Sequence, residues 1–417
     1  MQTLKKNLLF VLIFMFLFSP KFIFCPIDFS FLLAFFSLGL LFKNKEIQKI
    51  FSKYILTVVF IISFSLLYLI NEILHYSSFS SNSYSIIFIR QIIEIIVPAC
   101  CFTHYAYKYK VNFVKYIKYF LCIQFLFCFL MINMDFKKII FQNLIELDEY
   151  ASNFSFLRNF GIARNYLSWF PACCSLLIFV LFLDFCYNKK INSLFILILS
   201  NIILFLNSRT SIVIEIFSFF CTYLYFKYLK ILKHKNLRQR INSKQLLILL
   251  LLFFTISFIL LTVINQNRDF FEKIADWLLQ AFDSIGTLFG KEYTGPNTFK
   301  DLNQFYFPKE SYSLLLGYAN PSYNGMESDI GYVRYLLYGG ILLGCCLFFV
   351  YFEFFRIGFN GCKKESEKIF LVISYMSLLI LQYKGEALSL NEVTRFVFLA
   401  SIFLGNQKNK IKEDNKK

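Results

Sequence analysis

Long apolar runs recur along the whole chain, and they constrain its fold more than any other feature. The runs at 55–70, 246–264 and 338–355 approach or reach the roughly 20 residues needed to cross a bilayer core. A soluble core has no room for many such segments. Inside lipid every backbone N–H and C=O must be paired within the protein, which leaves helices or closed barrels. The apolarity here is continuous rather than alternating, which excludes a barrel. The expected fold is therefore all-α: a polytopic membrane helix bundle of about twelve transmembrane helices, with one large extracytoplasmic loop containing an amphipathic helix.

The expected spans lie at 8–24, 27–42, 54–71, 86–103, 119–134, 165–187, 192–207, 211–227, 246–264, 332–355, 369–383 and 392–405. They divide the chain into spans one to nine (1–265), the large loop (266–331), spans ten to twelve (332–405) and a basic tail (406–417). The start resembles a signal peptide, with Lys5-Lys6 before an apolar stretch. Pro20-Lys21 and a second apolar run follow without a small-residue cleavage pattern, so it reads as a retained first span.

Charge sets the orientation. Of the 43 Lys and Arg, 28 fall on the even-numbered connections and the two termini, 12 on the other connections and three within or at the edges of spans. The positive-inside bias places both termini in the cytoplasm and the loop 266–331 outside. That is the periplasmic face of the inner membrane if the cell has two membranes. The net charge of +17 does not point to nucleic acid, because no basic soluble domain exists to carry such binding. The expected surroundings are membrane lipids.

Twelve Cys occur, mostly in apolar runs, with adjacent pairs at Cys100–Cys101, Cys173–Cys174 and Cys345–Cys346. No paired C-x-x-C is present, so they read as small buried apolar residues rather than zinc ligands. No D-x-D motif occurs either. No cofactor and no metal are expected.

The polar loop is the exception in an apolar chain, and long loops tend to be functional or disordered. Phe270, Phe271, Ile274, Trp277, Leu278, Ala281 and Phe282 recur at helical spacing, with Asp269, Glu272, Lys273, Asp276, Gln280 and Asp283 between them. This predicts an amphipathic helix able to lie on the membrane face. Phe136, Ile139, Ile140, Leu144 and Leu147 make a similar pattern in an earlier outer loop. The two helices either frame a lateral entrance for a lipid-attached substrate or simply pack on the bundle top. Further on, 293–297 is a turn signal. The stretch 317–325 combines Tyr and Asn; these suit sugar rings and hydroxyls, and are also ordinary in a tight loop.

Several charged residues fall at the same outer level. Asp329 precedes a span that carries Arg334 one turn in. Asp329 suits a helix N-cap, whereas a charge such as Arg334 inside the membrane is a functional candidate by default. Arg164 begins a span, Arg209 sits in the short turn 207–211, and Lys384-Gly385-Glu386 and Arg395 flank the last outer loop. Arg90 and Glu94 are one turn apart and suited to pair with each other; Glu215 lies a turn below Arg209. The Arg fork binds phosphate bidentately. Singly each Arg can be a snorkelling anchor; together they suggest a site for a lipid pyrophosphate.

This layout resembles the Wzy family of O-antigen polymerases: about twelve spans, short loops and one large outer loop before the last spans. Leu206-Asn-Ser-Arg-Thr-Ser211 looks like the family's S-R-T turn, and residues 328–344, from Ser328-Asp329 through Arg334 to the Gly-rich span, look like its loop-exit segment. The Arg-x10-Gly pattern of some members does not start at Arg164, Arg209 or Arg268, so that substrate-binding device does not transfer.

The resemblance implies an enzyme, a glycosyltransferase of lipopolysaccharide biosynthesis acting on undecaprenyl-pyrophosphate-linked oligosaccharide repeats. The growing chain moves from its lipid carrier to the non-reducing end of the next lipid-linked repeat. Asp329 and Glu386, with Glu327 behind them, are then the candidate general bases for the acceptor hydroxyl. Arg164, Arg209, Arg334 and Arg395 are the candidate pyrophosphate ligands that stabilise developing charge. A chain-length regulator is the implied protein partner. Two other readings stay open. An O-antigen ligase shares the layout but depends on an outer-loop His, and of His75, His104 and His234 only His75 falls outside. A flippase or other transporter would line a mid-membrane cavity with ionisable groups; Arg90, Glu94 and Glu215 point that way.

Overall fold

A computed structural model describes residues 2–25, 28–75, 83–146, 161–163, 169–227, 311–320, 322–323, 326–327 and 330–407. The elements in chain order are α1 (Gln2–Phe18), α2 (Phe29–Lys43), α3 (Lys45–Ser52), α4 (Ile55–His75) and α5 (Tyr84–Gln91). A π-helical turn (Ile92–Ile96) joins α5 to α6 (Val97–Lys108). Next come α7 (Phe113–Leu130), α8 (Met134–Asn143), α9 (Trp169–Asn188), α10 (Ile191–Asn207), α11 (Arg209–Tyr225) and α12 (Ser311–Leu316). The strands β1 (Ser322–Tyr323) and β2 (Met326–Glu327) pair antiparallel, and α13 (Gly331–Gly361), α14 (Glu365–Gln382) and α15 (Glu392–Gly405) close the order.

Five helical segments among the described residues are long and apolar enough to cross a membrane: Ile55–Leu74, Tyr84–Lys108, Phe113–Leu130, Trp169–Asn188 and Gly331–Gly361. Three shorter apolar helices cover Phe29–Lys43, Ile191–Leu204 and Thr210–Tyr225. A helix overlies each expected span except 246–264, which lies outside the described residues. So do the predicted amphipathic helix at 270–283, the turn at 293–297, Arg164 and Asp329.

The exposed rim is the reverse of a soluble protein's. Phe35, Phe42, Leu56, Leu74 and Phe348, on three helices, are each at least 60% exposed, large apolar side chains turned outward as a lipid-facing surface would have them. Inside, hydroxyl and amide side chains bond back to the helix turn below: Ser65 to Ile61, Ser218 to Ile214, Thr222 to Ser218 and Ser401 to Val397, at 2.7–2.8 Å. Small polar groups satisfied in this way let membrane helices approach closely. The core runs through all the long helices, with Phe354 stacked on Phe398 at 4.2 Å between centroids.

Two elements differ from expectation. The segment 43–53, read as a basic loop, contains α3, whose Ile47 is wholly buried while its lysines stay outside. Within the apolar pattern from Phe136 to Leu147, the helix ends at Asn143, and Leu144–Glu146 are not helical; Leu147 lies outside the described residues. Beyond the helix Ile145 pairs with Phe22 as an isolated bridge, and Lys21 closes on Glu146 at 2.7 Å, tying this loop to the link between α1 and α2.

α13 is broken at Gly340, where φ is +63°. The carbonyls of Leu337 and Tyr338 turn instead to the N–H groups of Tyr318 (2.6 Å) and Ala319 (2.9 Å). Only glycine fits, because a Cβ would stand 2.2 Å from the Leu315 carbonyl oxygen in a conformation L side chains rarely adopt.

Candidate functional site

The site is built where α4 ends and α5, α13 and α15 begin. Asn391 caps α15: its Oδ1 accepts from Thr394 N at 2.9 Å. Its Nδ2 donates to the carbonyls of Glu386 (3.1 Å) and Ala387 (2.9 Å), so one side chain both starts the helix and shapes the preceding loop. Leu388 N donates to Gln382 Oε1 at 2.9 Å, while the Leu388 carbonyl accepts from Tyr335 OH and Gln91 Nε2 at 3.0 and 3.1 Å. The loop is thus pinned by α5, α13, α14 and its own cap.

Gly331 brings the start of α13 onto this loop. A Cβ there would meet Gln382 Nε2 and the Gly385 carbonyl oxygen at 2.3 Å. The close approach carries Arg334 to Glu386, Nε to Oε1 at 2.7 Å. Tyr84 OH donates to the same Oε1. Both charged side chains keep partial access, 31% for Arg334 and 18% for Glu386.

Beneath them lies a floor of tyrosines. The Tyr84 ring stands 4.5 Å from Tyr338 and 5.6 Å from Tyr335, edge-on to the latter. All three are buried. On the far side of the floor a second carboxylate, Glu72 on α4, accepts from Tyr338 OH, Ser83 Oγ and Ser85 Oγ, the last at 2.9 Å. Tyr68 OH donates to the Gly339 carbonyl at 2.7 Å, beside the break in α13. Sequence reasoning missed Glu72; the signal available was a lone acid at the end of an apolar run, just before the polar stretch 76–83.

A second charged cluster lies deeper. Arg90 and Glu94 pair as expected, Nε to Oε1 at 2.6 Å. The π-helical turn adds a residue to the helix at Glu94, a distortion frequent at functional positions. Glu94 Oε2 accepts from Ser30 Oγ at 2.8 Å and faces Arg395 Nη2 at 3.7 Å. Arg395 Nη1 donates to the Phe16 carbonyl at 3.0 Å. Arg395, expected at the headgroup level as a phosphate ligand, is only 2% exposed. The physical reason is the cap at Asn391: it starts α15 at Glu392, so Arg395 enters one turn into a helix buried on nearly all sides.

Of the expected site residues, then, the structure brings Arg334 and Glu386 together and takes Arg395 into the bundle. Glu327 belongs to β2 and Arg209 begins α11, directly after the Ser208 cap; their side chains, like Arg164 and Asp329 entirely, lie outside what is described. Glu215 is buried in α11. Among the described residues no group of three or more His, Cys, Asp or Glu is placed to hold a metal ion.

Chemically, a guanidinium with a fixed fork beside a carboxylate can hold an anion and orient a hydroxyl. Glu386 Oε1 is occupied by Arg334 and Tyr84 in this state, so proton abstraction at that atom requires both to yield. Compared with protein-family models, curated proteins and solved structures, the chain matches none of them.

Proposed function

We propose that this chain is a surface-polysaccharide polymerase of the bacterial inner membrane. It would join undecaprenyl-pyrophosphate-linked repeat units at the periplasmic face, in a bundle of about twelve spans with both termini in the cytoplasm. The observation that carries the reading is the partly accessible Arg334–Glu386 pair above buried tyrosines, at the end of the bundle where the long polar loop rejoins it. Arg334 supplies a phosphate-binding fork at the membrane surface. Glu386 orients that fork, and Asp329 and Glu327, two and four residues before α13 by sequence, are the candidate bases for the acceptor hydroxyl. Arg164 and Arg209 are further candidate pyrophosphate ligands, and Arg395 serves the bundle rather than the substrate. A chain-length regulator is a candidate partner.

Deleting the gene and resolving the surface glycan on a gel tests this. A product bearing a single repeat supports a polymerase. An unchanged ladder of long chains sinks the proposal. Loss of all repeats favours a ligase or a flippase, and one observation speaks for the flippase: Glu94 and Arg395 are buried inside the bundle, with the partly exposed Arg90 paired to Glu94, and charges inside a bundle are what transport pathways require.

A further inference from the structure

The opposite end of the bundle holds a groove of about 620 Å³ between the start of α1, the turn after α6 and the start of α7. Its two walls are helical stripes. On α1 the stripe runs Lys6, Asn7, Phe10; on α7 it runs Lys115, Tyr116, Tyr119, Ile123. Each passes from cationic or amide groups at the helix start to apolar groups deeper along the helix, in parallel. Tyr116 OH, donating to the Lys6 carbonyl at 2.7 Å, fixes the walls to each other.

The turn adds a third cation. Lys110 stands in left-handed backbone at φ +51° and lines the groove with Asn112, whose side chain caps α7 through Lys115 N at 3.2 Å. Lys115 Nζ lies 5.7 Å over the Tyr119 ring. Among the described residues none of the three lysines is ion-paired with a carboxylate. Lys118, by contrast, reaches Asp184 at 3.6 Å. Three uncompensated ammonium groups around one concavity repel one another, and the groove carries no acid in its lining to offset them.

We infer that this groove is a binding site for an anionic glycerophospholipid, with the phosphate among Lys6, Lys110 and Lys115 and an acyl chain along Phe10, Tyr119 and Ile123. The order of the stripes carries the assignment. A soluble phosphate would use only the cationic mouth, whereas a lipid uses the mouth and the apolar track below it. Tyr119 is 49% exposed, so the apolar track can be reached from outside the bundle. Basic grooves between membrane helices are suited to such headgroups, and each lysine near the surface adds appreciable attraction. The lysines thus serve as more than orientation signals.

Native mass spectrometry of the purified full-length chain tests the site, with titrations of cardiolipin, phosphatidylglycerol and phosphatidylcholine. The wild type is expected to retain an anionic lipid in preference to phosphatidylcholine. The triple variant Lys6→Gln/Lys110→Gln/Lys115→Gln should weaken that retention by roughly tenfold or more. A charge-matched control, Lys43→Gln/Lys45→Gln/Lys49→Gln, should leave it within about twofold. Equal losses from both triples would show diffuse surface charge and overturn the inference. Glycerol phosphate competing as well as the lipid would reassign the groove to a soluble phosphate and also overturn it. If the triple does not stay monodisperse, Lys110→Gln alone, in an exposed turn, carries the test: unaltered retention overturns the site.

Discussion

Arg334 and Glu386 meet Nε to Oε1 at 2.7 Å, although one lies on a long helix and the other in the loop that follows the next. Glycine at 331 permits the approach and Asn391 holds the loop that receives it. Removing either charge breaks this contact between two partly buried groups. Arg334→Ala and Glu386→Ala are each expected to abolish long glycan chains on a gel while membrane levels of the protein stay normal. Arg334→Lys keeps the charge but loses the fork, so shortened chains are expected. Full-length polymers from all three variants would remove this pair from the proposed chemistry.

Asn391→Ala separates positioning from binding. The cap itself is worth about 1 kcal/mol, and the two loop carbonyls it serves add a comparable amount each. Thermal unfolding in detergent should show the loss. Glycan chains should shorten as well, because Glu386 is displaced, and Asn391→Asp, which keeps the capping oxygen but not the donors, should restore stability more than chain length.

The deep cluster should behave as a unit. Glu94→Gln leaves Arg395 and Arg90 facing each other inside the bundle, and Arg395→Met leaves Glu94 with Arg90 alone. Breaking a buried pair costs about 3–5 kcal/mol, and replacing both partners costs less than the sum. A double-mutant cycle read by thermal unfolding checks this; strictly additive losses would show that the 3.7 Å contact between Glu94 and Arg395 contributes nothing.

Lys137 on α8 gives a pH signature. Burial pushes its ammonium down from 10.5 to about 8. In the window from about pH 8 to 10.5 the unfolded chain still holds the proton that the folded chain has released. Stability therefore rises with pH through that window. Below it both states are charged, and the burial penalty of about 3 kcal/mol is present in full. Lys137→Met should raise the midpoint of thermal unfolding at pH 7 and remove the rise between pH 8 and 10. A variant with the wild-type pH profile would contradict the assignment.

Replacing Gly340 by Ala places a Cβ against the Leu315 carbonyl. An L residue at φ +63°, ψ −165° stands in an essentially glycine-only region and adds about 1–3 kcal/mol of strain to that clash. Gly344→Ala, four residues on in the same helix with open space at its Cβ, should be neutral or stabilising by up to about 1 kcal/mol. Equal effects in thermal unfolding would contradict the break in α13.

The bundle was legible in the sequence because a bilayer-length apolar run leaves the backbone no alternative to a helix. The Arg90–Glu94 pair was legible because four-residue spacing is local. The partnership of Arg334 with Glu386 was not, since it depends on a glycine contact and a loop cap contributed by separate helices. Arg395 was misplaced for a related reason: its distance from a loop is visible in the sequence, but the packing around α15 is not. α3 stayed hidden because its lysines outweigh the few apolar residues it buries, and Glu72 because its hydroxyl partners come from 83–85 and 338.

The break at Gly340 gives the neighbouring segment a mechanical role. The Leu337 and Tyr338 carbonyls, which an unbroken helix would spend on its own next turn, are spliced to Tyr318 and Ala319. Tension on that segment is therefore delivered straight into the turn of α13 that carries Arg334, rather than dissipated in a slack tether. On the polymerase reading proposed above, the strap would couple the drag of a growing polymer to the aim of a single guanidinium.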